Sequence, residues 1–197
     1  MDCIDLSIKS LDAKCRELAN FIVKDFSPEI VIYVAKGGYL IGKSIAEELD
    51  VPLIAVGAER KGNSLKEICV PILCMLPRNI CNLLRRLEIK SNIHDENIER
   101  KVEFLDDIDV YKINNIKKIL IVDDSVDTGN SLKTVKKVVQ SAFYSSEIRI
   151  AALNVMSQSK GNICVDYSIY EDVMLRTPMS KDSREYRNFL EIYKKVR

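Results

Sequence analysis

Three carboxylates and three hydroxyls stand within residues 123–131, DDSVDTGNS. They follow an apolar run, ILIV at 119–122, and lead into a stretch with helical spacing. In an open parallel sheet, ligands bind beyond the carboxyl ends of the strands, so this junction is where chemistry is expected. The turn Thr128-Gly129-Asn130-Ser131 offers backbone N–H groups and two hydroxyls at the start of a helix, which suits a phosphate dianion. Gly129 lets the backbone come close to such a ligand. Asp123 and Asp124, just upstream, accept hydrogen bonds and so suit sugar hydroxyls, not a second phosphate. The ligand so described is a diol at one end and a phosphate at the other, and ribose 5-phosphate fits it. The competing structural reading has the acids close the strand while Asp127 or Thr128 caps the helix. Against it, three clustered acids repel one another unless a cation or a hydroxyl-rich ligand meets them.

A second strand–turn–helix pattern lies at residues 34–44, VAKGGYLIGKS, with Lys36-Gly37-Gly38 as its turn. The span from Gly37 to Ser44 also fits G-x-x-x-x-G-K-S, and residues 119–123 can pass for the acidic strand that accompanies that pattern. A P-loop nucleotide hydrolase is therefore the runner-up reading. The residues between its glycines are Gly-Tyr-Leu-Ile, where a phosphate-wrapping loop calls for small side chains. Ile41 falls in register with Ile45 and Leu49 on one helix face, which puts Lys43 in mid-helix, too late to reach a phosphate.

These segments need elements to hold them. Residues 6–25 read as an amphipathic helix with Leu11, Cys15, Leu18 and Ile22 on one face, closed by Ser27-Pro28. Residues 30–35 (IVIYVA) suit a strand buried on both faces. A helix is expected over 39–49, and a second strand over 51–56 with its proline near the start. Residues 58–115 are rich in Lys, Arg, Asn and Glu and contain a helical-looking stretch, 68–87. So long a connection is expected to be an insertion or lid with a function of its own. Strands are expected at 118–123 and 147–155, a helix at 131–143, a short strand at 165–169 and a helical tail over 181–197. Alternating strands and helices predict an α/β fold with a doubly wound, mostly parallel sheet. The 197 residues favour a single domain with the 58–115 insertion.

Composition sets the outer bounds. The apolar fraction is 47%, enough for a sizeable core, and the net charge is +1. So weak an overall field gives no reason to expect nucleic acid or a membrane as partner. No apolar run approaches the roughly 18 residues that span a bilayer. The N-terminus, MDCIDLSIKS, lacks the apolar core of a secretory signal, so the expected location is the cytoplasm. Cysteines at 3, 15, 69, 74, 81 and 164 show no C-x-x-C spacing, and His94 is the one histidine. Ordinary thiols are expected, not a zinc or disulfide site.

Residues 119–132 match the signature of the type I phosphoribosyltransferases throughout: an apolar strand, two acids, two variable residues, an acid, Thr-Gly and a small hydroxyl residue. Residues 34–44 resemble the pyrophosphate loop of the purine-using members, which often reads Lys-Gly-Gly-Tyr. The resemblance implies the type I fold with a hood, and transfer of the 5-phosphoribosyl group from phosphoribosyl pyrophosphate (PRPP), with Mg²⁺, to a small-molecule acceptor of the purine-base type. It implies that Asp123 and Asp124 hold the ribose hydroxyls. Ser125, Val126, Asp127, Thr128, Gly129, Asn130 and Ser131 would wrap the 5′-phosphate, with Asp127 also the general base. Lys36 and Gly37 would bind pyrophosphate, helped by Arg60 or Lys61 at the mouth of the lid (59–64). Asp182, in a stretch similar to the Asp-x-x-Glu-Tyr tail of hypoxanthine-guanine enzymes, would contact the metal or the base pocket. Met156 and Leu175 stand where those enzymes carry a lysine that reads the 6-oxo group and an aromatic ring; Lys160 lies near the first of these positions. A non-catalytic PRPP sensor is a further alternative, and a homo-oligomer is the expected assembly.

Overall fold

A computed structural model of the chain describes residues 3–60, 100–113 and 115–196. Strand β2 (Ile30–Ala35) is buried along almost its whole length, as its unbroken apolar run requires. Around it lies a six-stranded sheet with β3 (Leu53–Arg60), β4 (Arg100–Phe104), β5 (Lys118–Val126), β6 (Glu147–Val155) and β7 (Tyr167–Glu171), in the order β4-β3-β2-β5-β6-β7. All neighbours run parallel except β4, which is antiparallel to β3.

The period-2 alternation of the strands feeds two apolar layers. Val31, Tyr33, Leu120 and Val122 face one side, where α1 (Ile8–Ile22), α2 (Tyr39–Leu49) and the last helix, α5 (Tyr186–Lys194), cover them. Ile30, Ile32, Ile119 and Ile121 face the other, beneath α4 (Asn130–Ala142). Each fully buried aliphatic side chain contributes about 1.5–3 kcal/mol, so the two central strands carry much of the stability. A short helix, α3 (Asp109–Ile113), precedes β5. Strand β1 (Cys3–Asp5) pairs in parallel with β8 (Met174–Arg176), which joins the start of the chain to its C-terminal part.

Most expected elements form. β2, α2 and β6 have the expected bounds. α1 is shorter than residues 6–25 because a capping box between Ser7 and Ser10 sets its start, and Leu6 donates its N–H to the Arg176 carbonyl (2.9 Å). β3 starts after Pro52, whose carbonyl still accepts from Val31 N–H (2.9 Å), and extends to Arg60 because β4 pairs with it. The tail helix begins only at Tyr186. Within residues 58–115 the described parts are the end of β3, β4 and α3; the helical stretch at 68–87 lies outside the described residues. Among the described residues no helix is long and apolar enough to cross a membrane. The described cysteines, Cys3, Cys15 and Cys164, are in no disulfide, and burial pushes the Cys15 thiol up to about 12.

Candidate functional site

β2 and β5 are neighbours, yet the chain leaves them in opposite directions. From β2 it passes through α2 to β3; from β5 it passes through α4 to β6, on the other face. Their carboxyl ends therefore flank the point where strand order reverses, which is where a doubly wound sheet opens a crevice. The two segments singled out by their chemistry end at this point, in register, with Tyr33 beside Val122.

On the β5 side, Asp123 and Asp124 are half-buried and Asp127 is exposed. Asp123 Oδ1 accepts the N–H of Asp124 at 2.9 Å. Desolvation raises the Asp123 carboxyl well above the usual carboxylate range, and the charges of Asp124 and Asp127 push it the same way. The Asp124 N–H opposes them without prevailing. A cation or hydroxyl donors placed here would favour the charged form of Asp123.

On the β2 side, the turn 36–38 follows a cis peptide bond between Ala35 and Lys36. Lys36 is exposed. A Cβ on Gly37 would lie 3.1 Å from Asp124 Oδ1, so the turn and the acid pair touch. At Gly38 a Cβ would lie 2.7 Å from the Val122 carbonyl oxygen, leaving room for glycine alone. α2 begins at Tyr39, and Ile41 and Ile45 are fully buried. Lys43 lies in mid-helix and pairs with Glu47 (3.6 Å). Residues 37–44 therefore form a short turn and a packed helix, not a loop that wraps phosphates.

Past β5 the chain turns through Thr128 and enters α4. The N-cap is Gly129, at φ 79°, which has no side chain of its own to cap the helix. With Gly129 as N-cap, the N-terminus of α4, where backbone N–H groups suit an anion, comes directly after the acids. Gly129 is also held closely: a Cβ there would lie 2.5 Å from Ile163 Cγ2.

The remaining expected residues are placed as follows. Arg60 ends β3, while its side chain and Lys61 lie outside the described residues. Asp182 accepts from Arg176 Nε (2.8 Å), and Arg176 also donates to Asp5 (2.6 Å). Met156 is buried at the end of β6, and its N–H donates to the Val126 carbonyl (2.9 Å), next to Asp127. Leu175 is buried on β8 within the α1/α2 layer. Lys160 is exposed and pairs with Glu171 (3.0 Å).

Two asparagines escaped the sequence reading. Buried Asn154 donates to Ser125 Oγ (3.1 Å) and to the Val173 carbonyl (3.0 Å), tying β5 to the segment before β8. Asn162 donates to the Thr128 carbonyl (2.8 Å). A lone polar residue in a buried strand (Asn154) was the available signal for the first; nothing in the sequence marked the second.

As for a metal, no group of three or more His, Cys, Asp or Glu side chains is placed to hold one among the described residues. Mg²⁺ does not need such a cage, since it is commonly bound by one or two carboxylates together with substrate phosphates. Asp124, against the Gly37 turn, is a carboxylate so placed, and the residues present fit the ion.

Comparison with known proteins follows the same lines. No curated protein sequence matches the chain. Among solved structures, a purine phosphoribosyltransferase from Pyrococcus horikoshii shares 20% identity over 90% of this chain and 93% of that one, with a TM-score of 0.60. The xanthine-guanine-hypoxanthine phosphoribosyltransferase of Helicobacter pylori shares 17% over 96% and 99%, at a TM-score of 0.63. A hypothetical protein from Neisseria gonorrhoeae with bound ppGpp shares 14% over 100% and 98%, at 0.59. These likenesses show the fold. The model of the phosphoribosyl transferase domain matches residues 7–171. The match spans β2 to β7, and the chain belongs to the phosphoribosyl transferase domain family.

Proposed function

We propose that the chain transfers the 5-phosphoribosyl group from PRPP to a nitrogen of a small acceptor, a purine-type base, and releases pyrophosphate. One observation carries the reading. The acid pair, the N-terminus of α4 and the Lys36-Gly37 turn stand beyond the carboxyl ends of the neighbouring strands β5 and β2, with Gly37 in contact range of Asp124. A sugar needs acceptors for its hydroxyls, donors for its 5′-phosphate, and a third locus for the group on C1; in this reading the acids, the start of α4 and the turn serve these in that order. The solved structures named above add weight to a purine acceptor.

In this reading Asp123 and Asp124 accept the ribose 2′- and 3′-hydroxyls, and their charge favours the cationic sugar formed as the C1–O bond to pyrophosphate breaks. Backbone N–H groups of residues 125–131 hold the 5′-phosphate. Lys36 and Gly37 face the leaving pyrophosphate, joined by Arg60 from the mouth of residues 58–115, which serve as the lid of a single domain. Asp127 takes the proton from the acceptor nitrogen as the N–C1 bond forms, a role worth about 10²–10⁴-fold in rate. Asp124 would hold Mg²⁺ together with substrate oxygens, and the ion when bound would supply charge neutralisation for the departing pyrophosphate. Asp182 is the second candidate for contact with the ion, and its present bond to Arg176 would have to yield for that.

The acceptor is tested by screening free bases for PRPP-dependent release of pyrophosphate. Turnover with one or more purine-type bases is expected. PRPP binding without turnover on any base would leave a PRPP sensor; ATP hydrolysis without PRPP binding would return the nucleotide-hydrolase reading.

A further inference from the structure

The acids and the turns explain which groups meet the sugar phosphate, but not what keeps the phosphate loop in an anion-binding shape. A loop of this kind presents N–H groups inward only if its carbonyl oxygens are turned away and occupied. Three carbonyls in a row are accounted for. Thr128 O accepts from Asn162 Nδ2 (2.8 Å), Gly129 O from the N–H of Lys133 (2.9 Å), and Asn130 O from Thr134 Oγ1 (3.0 Å). The last two are bonds within α4. The first comes from outside, from the loop after β6.

Asn162 makes a second bond with the same amide nitrogen, to Asn130 Oδ1 (2.5 Å). Its own Oδ1 accepts from Lys133 Nζ (2.8 Å). An amide can be flipped without visible cost unless its neighbours differ, and here they do. Lysine only donates and a carbonyl only accepts, so the orientation of Asn162 is fixed by its partners. Ile163, the next residue, fills the space left by the absent Cβ of Gly129. The bond to Asn130 takes the acceptor end of that side chain, so its amide nitrogen remains a donor.

We infer that Asn162 is a positioning residue for the 5′-phosphate loop, itself oriented by Lys133: it locks Thr128 and Asn130 with their donors available to the anion. The inference rests on the phosphoribosyl reading of the same site. It predicts a selective defect, because the pyrophosphate turn at Lys36-Gly37 follows β2 and is not part of this network.

The test uses the full chain with Asn162→Ala and Lys133→Met. Loss of one or two bonds to the loop corresponds to an increase of about tenfold in the KM for PRPP and in the inhibition constant of ribose 5-phosphate for Asn162→Ala. A smaller rise of about threefold is expected for Lys133→Met, where one orienting bond is lost. The inhibition constant of pyrophosphate and kcat should stay within about twofold in both, because neither variant touches those groups. Lys133 is exposed, so its variant folds and decides the matter even where Asn162→Ala does not. Unchanged PRPP and ribose 5-phosphate constants in the folded variants overturn the inference, as does an equal loss of pyrophosphate binding, which would mark a general structural role. Wild-type protein that binds neither PRPP nor ribose 5-phosphate would instead overturn the parent reading, and this one with it.

Discussion

Burial and the neighbouring acids disfavour the charged form of Asp123 in the folded chain. Its carboxyl is raised by desolvation and by the neighbouring acids, so the folded protein binds that proton more tightly than the unfolded chain does. Stability contributed by the protonated form is present at low pH and is lost as pH rises from the ordinary carboxylate value through the raised one. Asp123→Asn removes this penalty while keeping an Oδ1 to accept the Asp124 N–H. Calorimetry at neutral pH should then show a melting temperature about 2–4 °C higher, the scale of 1 kcal/mol in a chain this long. The gain should shrink toward about pH 4, where the wild-type group is protonated, and PRPP binding should be lost. Asp127 lies at the exposed end of the same cluster. Asp127→Asn should slow turnover by about 10²–10⁴-fold while PRPP affinity, measured by titration calorimetry, hardly changes; a loss of binding with normal turnover would deny it the role of base. These acids were legible in the sequence because the apolar strand, the acids and the Thr-Gly turn occur in one unbroken run. Asn154 and Asn162 were not, since each acts on residues about thirty positions away through contacts that only the folded sheet creates.

At the scale of elements, the turn 36–38 divides its labour between two glycines. A methyl on Gly38 would strike backbone atoms, the Val122 carbonyl at 2.7 Å and Val34 at 3.1 Å, which cannot move aside. Gly38→Ala should cost about 1–3 kcal/mol of stability, as overpacking does, read from urea unfolding. A methyl on Gly37 would meet the Asp124 carboxylate at 3.1 Å, a side chain that can yield. Gly37→Ala should therefore leave the unfolding midpoint near wild type and weaken pyrophosphate inhibition. Elements with a strong period or an unbroken apolar run were read with their bounds: β2, α2 and β6. β4 was missed, although Val102 and Phe104 are more buried than Lys101 and Glu103, because the alternation is short and lies in a charged stretch. As an edge strand it buries one face only and needs few apolar residues.

For the whole molecule, the pairing of β1 with β8 joins segments about 170 residues apart, and no local pattern announces strands of three residues. Arg176 secures this pairing. It is buried and bridges Asp5 from one end of the chain and Asp182 from the other (2.6 and 2.8 Å). Asp5 is exposed and Asp182 half-buried, so removing Arg176 leaves one partly buried carboxylate short of its donor, at about 1–3 kcal/mol. Arg176→Ala should therefore lower stability by about that scale and speed hydrogen exchange at residues 3–6 ahead of the central sheet. The doubly wound order was foreseeable from alternating strands and helices; what the sequence withheld was the crevice itself, which arises because β2 and β5, far apart in the chain, lie side by side. The most direct test of the account is a crystal soaked with ribose 5-phosphate. The account predicts the two ring hydroxyls against Asp123 and Asp124 and the phosphate on the backbone of residues 128–131. A sugar phosphate bound elsewhere, or reversed so that its phosphate meets the acids, would contradict it.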